Sequence, residues 1–242
     1  MFVSRQLLLD FGDPPSATFD NFITGANTEL VTRLAALNEA PGNDYAAERF
    51  FYLWGEAGNG RSHLLHALCH RAGPGRARLA GPCASLAAFE FDPALALYAI
   101  DDCDMLSPIQ QIAAFNLFNE IKAHPHCAFV ATGQMPPRLL KVREDLRTRL
   151  GWGLVYQLMP LDDVGKMAAL TRAAQARGIA LAADVPPYLL AHFRRDMRTL
   201  IGLLDALDRF SLERHRPITL PLLRAMLSHQ EMTTLTATPC FE

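Results

Sequence analysis

The sequence predicts an α/β protein: a five-stranded parallel sheet sandwiched by helices, followed by a small all-α domain. Three observations predict it. Short apolar runs alternate with helical stretches between residues 49 and 158, the pattern of strands buried on both faces and joined by helical crossovers. A glycine-rich turn, GEAGNGRS at residues 55–62, stands between the first such run and the helix after it. Beyond Pro160 the chain is helical in pattern almost throughout.

The elements follow in order. Residues 6–11, QLLLDF, precede a break at 12–16, where two prolines forbid regular pairing. Asn27 or Thr28 caps a helix with Leu30, Val31, Leu34 and Leu37 on one face, and APGN at 40–43 ends it. RFFYLWG (49–55) is a strand entering the glycine turn, and SHLLHALCHRA (62–72) is a helix. RARLAG (76–81) is a weak strand and LALYAIDD (95–102) a strong one. Ser107 before Pro108 starts a helix that runs to about residue 123. CAFVATG (127–133) and LVYQL (154–158) complete the sheet. Helices at 162–177, 186–193, 197–214 and 220–229 build the second domain, and residues 233–242 fray. The chain thus divides into an N-terminal segment (1–16), an α/β domain (17–159), a helical lid (160–230) and a tail (231–242).

Composition narrows the function. The 23 basic and 25 acidic residues leave a formal charge of -2, so the chain as a whole is not a basic nucleic-acid surface. A local basic strip remains open at Arg172, Arg177, Arg194, Arg195 and Arg198. The five cysteines form no CxxC pair, which argues against a disulfide framework or a zinc knuckle and fits a reducing cytoplasm. The opening MFVSRQLLLDF is too short and too charged for a signal peptide, and no apolar run approaches a membrane span.

GEAGNGRS lies in the strand-to-helix context of a P-loop, so the α/β domain reads as a P-loop NTPase. Gly55, Gly58 and Gly60, with Asn59 among them, turn backbone N–H groups toward phosphate oxygens. The helix starting near Arg61 and His63 adds its positive end, and the Ser62 hydroxyl is placed for a magnesium ion. Arg61 replaces the usual lysine. It keeps the charge on a bulkier planar fork, which favours phosphate binding over fast hydrolysis. At the end of LALYAIDD, Asp101 is placed to hold magnesium and Asp102 to orient an attacking water. His63, His66 and His70, with Cys69, share a helical spacing on which a metal site can be drawn, but that spacing arises readily on a packed helix and is read as such.

Six stretches point further: QLLLDF (6–11), TFDNFITGANTEL (18–30), GRSHLLHA (60–67), ATGQMPP (131–137), DLRTRLGWG (145–153) and RRDMRTL (194–200). Together they resemble the AAA+ ATPases of the bacterial DnaA family, and most closely its regulatory branch, Hda, the regulatory inactivator of DnaA. The resemblance spans residues 6 to about 229. It implies that Gln6, Leu7, Leu9 and Phe11 bind the DNA sliding clamp (the polymerase III β subunit), as an extended segment filling an apolar pocket. Residues 18–30 would lie beside the adenine of ADP or ATP. Gln134 stands where the family's first sensor usually has an aspartate, so a charged sensor is lost. Arg149 matches the arginine finger offered to a neighbouring subunit, and Arg195 matches the second sensor, with Arg198 as its alternative. The family's further DNA-binding domain is not expected after the lid.

The implied function is negative regulation of replication initiation: an ADP-bound protein, tethered to the clamp, that stimulates ATP hydrolysis by the initiator DnaA. DNA contact would be indirect or weak, and homo-oligomer formation stays open. Other readings use the same phosphate cradle: a self-sufficient AAA+ ATPase such as a helicase loader or shortened initiator, a P-loop kinase, or a scaffold with a vestigial site.

Overall fold

The structure is a computed structural model that describes residues 17–37 and 46–236. The segment 6–11, the break at 12–16, APGN at 40–43 and residues 237–242 lie outside the described residues.

Five parallel strands form one sheet: β1 (Phe50–Trp54), β2 (Ala77–Ala80), β3 (Leu97–Ile100), β4 (Ala128–Gly133) and β5 (Leu154–Gln157), in the order β2-β3-β4-β1-β5. β1 is flanked by two later strands, with Tyr52 level with Ala131 on β4 and Val155 on β5. The turn leaving β1 therefore opens at the middle of the sheet's carboxyl edge, beside the ends of β3 and β4.

The three inner strands β1, β3 and β4 alternate between two cores, because successive side chains point to opposite faces. Phe50, Tyr52, Tyr98, Ile100 and Phe129 pack with α3 (Pro108–Ala123) and α4 (Glu144–Leu150). Phe51, Leu53, Leu97, Ala99 and Val130 pack on the other face with α1 (Thr28–Ala36) and α2 (Arg61–Ala72). A third core joins the lid helices α5 (Asp163–Ala176), α6 (Val185–His192), α7 (Met197–Arg214) and α8 (Leu220–Thr236) through Leu170, Leu189, Leu200, Leu207 and Leu223.

Local chemistry sets the ends. Ser107 and Gln110 form a reciprocal capping box at the start of α3, with Pro108 at the first helical position. Asp162 and Asp196 cap α5 and α7 by accepting from Gly165 and Thr199 backbone N–H groups. Two elements differ from the sequence expectation. α4 was not expected: it has seven residues, and within it only Leu146 and Leu150 are buried, too short a stripe to stand out among charges. α8 runs past residue 229 to Thr236, since no glycine or proline interrupts 229–236. No helix among the described residues is long and apolar enough to cross a membrane.

Candidate functional site

The turn after β1 takes a left-handed backbone at two glycines, and a Cβ on Gly55 would stand 2.7 Å from the Leu158 carbonyl oxygen. Gly58 and Gly60 adopt φ of 88° and 97°, a left-handed conformation that costs other residues strain. A Cβ on Gly60 would also stand 2.7 Å from the Phe22 ring. Gly60 is the N-cap of α2 and brings no side-chain cap, so it leaves the first N–H groups of that helix to a ligand. Asn59 fixes the turn by donating from Nδ2 to the Leu158 carbonyl at 3.0 Å.

Above the turn lies a cleft of ≈ 550 Å³, a size suited to a small-molecule cofactor. Its floor is Gly58 to His63, one wall is the segment from Asn21 to Asn27, and its roof is α5 and α7 of the lid. Phe22, Ile23, Leu161 and Ile201 give it an apolar part, and Arg61, Arg172, Arg177 and Arg198 give it cationic groups. Among the described residues Asp205 is the only carboxylate on the lining, and it pairs with Arg177 at 3.1 Å.

Three polar contacts hold the wall in place. The buried Asn27 (5% exposed) donates from Nδ2 to the Met159 carbonyl at 2.9 Å and accepts from the Met159 N–H at 2.8 Å. Its amide thus binds the strand-to-lid junction rather than the start of α1, where it sits as N-cap without a side-chain cap bond. His63 donates from Nε2 to the Thr18 carbonyl at 3.0 Å and stacks obliquely on Phe22, its ring centroid 5.3 Å away. Burial lowers the His63 pKa, against the partial support of the Thr18 hydrogen bond. From the lid, Arg172 donates to the Asp20 carbonyl at 3.0 Å.

The acidic pair is arranged differently from the sequence expectation. Arg61 is only 7% exposed, and its Nη2 lies 2.9 Å from Asp102 Oδ1. Its Nη1 is buried with no hydrogen-bond partner. Asp102 has left-handed backbone (φ 43°) just past β3. Burial raises its pKa, the Arg61 charge opposes this, and Asp101 and Asp104 add to it. Asp101 accepts on Oδ1 from the Thr132 hydroxyl and from the Asp102 N–H. Neither aspartate lines the cleft, although Ser62 does. A magnesium ion needs a near-octahedral set of oxygens. Here one carboxylate is matched by a guanidinium and the other is tied to a hydroxyl, so the donor set does not fit the ion.

Two family models match the chain: "Hda, lid domain" over residues 163–227 and "Bacterial DnaA ATPAse domain" over residues 14–77. Both matched stretches contribute to the cleft, one supplying the phosphate turn and the other the roof.

The chain is an AAA+ protein of the DnaA/Hda type.

Solved structures share its fold. Domain III of the Thermotoga maritima replication initiation protein DnaA aligns with a TM-score of 0.72 at 18% identity, covering 89% of this chain and 97% of that one. AMPPCP-bound DnaA from Aquifex aeolicus aligns at 0.63 and 21% identity, covering 82% and 67%. The Thermotoga maritima RuvB Holliday junction branch migration motor aligns at 0.66 and 15% identity, covering 88% and 71%.

Within this DnaA/Hda-type frame, the arginines expected at the phosphates separate. Arg198, in the first turn of α7, lines the cleft, whereas Arg195 lies before the helix, outside the lining, with Nη1 3.1 Å from Asp163. Arg194 reaches Asp196 at 3.6 Å, so the basic strip is split between cleft and surface ion pairs. Gln134 is exposed beyond β4 and does not line the cleft; the group of β4 that meets the acidic pair is Thr132. Arg149 also lies off its own chain's cleft, on α4, with its guanidinium 5.6 Å from the Phe115 ring centroid and 5.9 Å from that of Phe118. Among the described residues no group of three or more His, Cys, Asp or Glu side chains is set to hold a metal, and His63 is turned to Thr18. Sequence reading missed Thr132 as a site residue, and it placed Asn27 only within the stretch 18–30 and Arg172 and Arg177 only in a basic strip. Thr132 carried a signal, a hydroxyl at the end of an apolar strand; the arginines carried none beyond their charge.

Proposed function

We propose that this protein restrains replication initiation: it holds ADP between sheet and lid, docks on the DNA sliding clamp through Gln6, Leu7, Leu9 and Phe11, and offers Arg149 to ATP-bound initiator. The observation that carries this reading is the separation of two arginines. Arg61, at the chain's own phosphate turn, is committed to Asp102. Arg149 sits away from that cleft, half-buried against aromatic rings and without a carboxylate partner among the described residues. A guanidinium held on aromatic rings and not by a carboxylate is available for charge on another subunit's phosphoryl group. The matched lid model supports the regulatory branch of the family.

An arginine finger supplied in trans is worth about 10³ to 10⁵ in rate, so the chemistry takes place in the partner's site. Tethering raises the local concentration of the finger without adding contacts. With Asp102 held by Arg61, the chain itself turns over ATP slowly.

The test is phosphate release by initiator in the presence of DNA-loaded clamp. The wild-type chain should stimulate it. Arg149→Ala should lose about tenfold or more of the stimulation while folding and binding nucleotide normally; retained stimulation would remove the finger. Replacing Gln6 and Leu9 by alanine should abolish capture on immobilised clamp, and retention there would sink the tether. Rapid hydrolysis by the isolated chain would favour a self-sufficient ATPase instead.

A further inference from the structure

We propose that the cleft takes its nucleoside diphosphate without a divalent cation, with Arg61 as a fixed counter-ion bridging Asp102 and the terminal phosphate. The inference rests on the nucleotide reading above and concerns how the site neutralises its ligand.

Three observations carry it. First, one oxygen of each carboxylate that would hold a metal is already in use. Asp102 is 2.9 Å from the Arg61 guanidinium, and Asp101 accepts from Thr132. A cation entering there would meet a positive charge already in contact with its own ligand. Second, Arg61 is half satisfied. It is more than nine-tenths buried, its Nη2 is paired, and its Nη1 is buried with no partner while the residue lines the cleft. A buried donor left unmade is costly, and a phosphate oxygen in the turn would complete it. The planar fork serves a carboxylate on one arm and a phosphate on the other, which a lysine ammonium does without fixed geometry. Third, the lining is already cationic. Arg61, Arg172 and Arg198 face one cleft with Arg177, and the single carboxylate, Asp205, is matched by Arg177. The protein thus supplies the positive charge that a metal supplies elsewhere.

The test is calorimetric titration of the full chain with ADP, once in excess EDTA and once in excess magnesium. The two dissociation constants should agree within about threefold. A value about tenfold or more weaker in EDTA would overturn the proposal while leaving nucleotide binding intact. Absence of binding in both buffers would overturn the nucleotide reading and this inference with it. Arg61→Lys, which gives up the fork, should bind ADP about tenfold more weakly in EDTA than in magnesium. If that variant stays indifferent to magnesium, Arg61 is not the substitute for the ion. The wild-type comparison needs no variant, so it decides the matter even where the substituted chain does not fold.

Discussion

Asn27 commits its amide to the backbone of Met159, with bonds of 2.9 and 2.8 Å at a residue only 5% exposed. Asn27→Ala would leave a buried donor and a buried acceptor unmade, each costing about 1 to 3 kcal/mol. The expected loss is therefore about 2 to 6 kcal/mol of unfolding free energy, read as a lower urea midpoint with unchanged slope; a loss near zero would mean that water replaces both bonds. The residue was legible in part. Sequence spacing places it correctly at the start of α1, but a cap bonds its own helix, and this amide reaches 132 positions along the chain. Arg61 is similar: its charge at the phosphate turn is plain in the sequence, whereas its pairing with Asp102 follows from the approach of α2 to the end of β3.

The strands were the easiest elements to read, because runs such as FFYLW and AFVAT admit little but a buried strand between turns. α4 was the hardest, being short, charged and apolar only at Leu146 and Leu150. Two lid helices matter most for the cleft. α5 and α7 form its roof and are joined by the Arg177–Asp205 pair, while α6 and α8 pack behind them in the lid core. Bound ADP should therefore slow amide exchange in α5 and in the first turn of α7 well before it affects α6 and α8. Hydrogen-exchange mass spectrometry checks this. Equal slowing across all four helices would indicate general tightening of the lid rather than contact with its roof.

For the whole molecule, the change from alternating to continuous helical pattern at Pro160 foretold a sheet domain followed by a helical one. The closing of the cleft was not foretold, because it depends on how the lid's orientation brings Arg172 to Asp20 and Arg198 over the turn. The passage between the domains is held from the sheet side: Asn59 takes the carbonyl of Leu158, and Asn27 takes both backbone groups of Met159. Phosphate turn, wall and lid thus meet within two consecutive residues.

Thr18 and Asp20 are fastened to the cleft rim by His63 and Arg172. Residues 12–17 are all that lie between Phe11 and Thr18. Seven peptide units extend to at most about 25 Å. A partner gripping Phe11 therefore keeps the rim on a short leash, and the protein can swivel around that partner only with its nucleotide-facing side nearby.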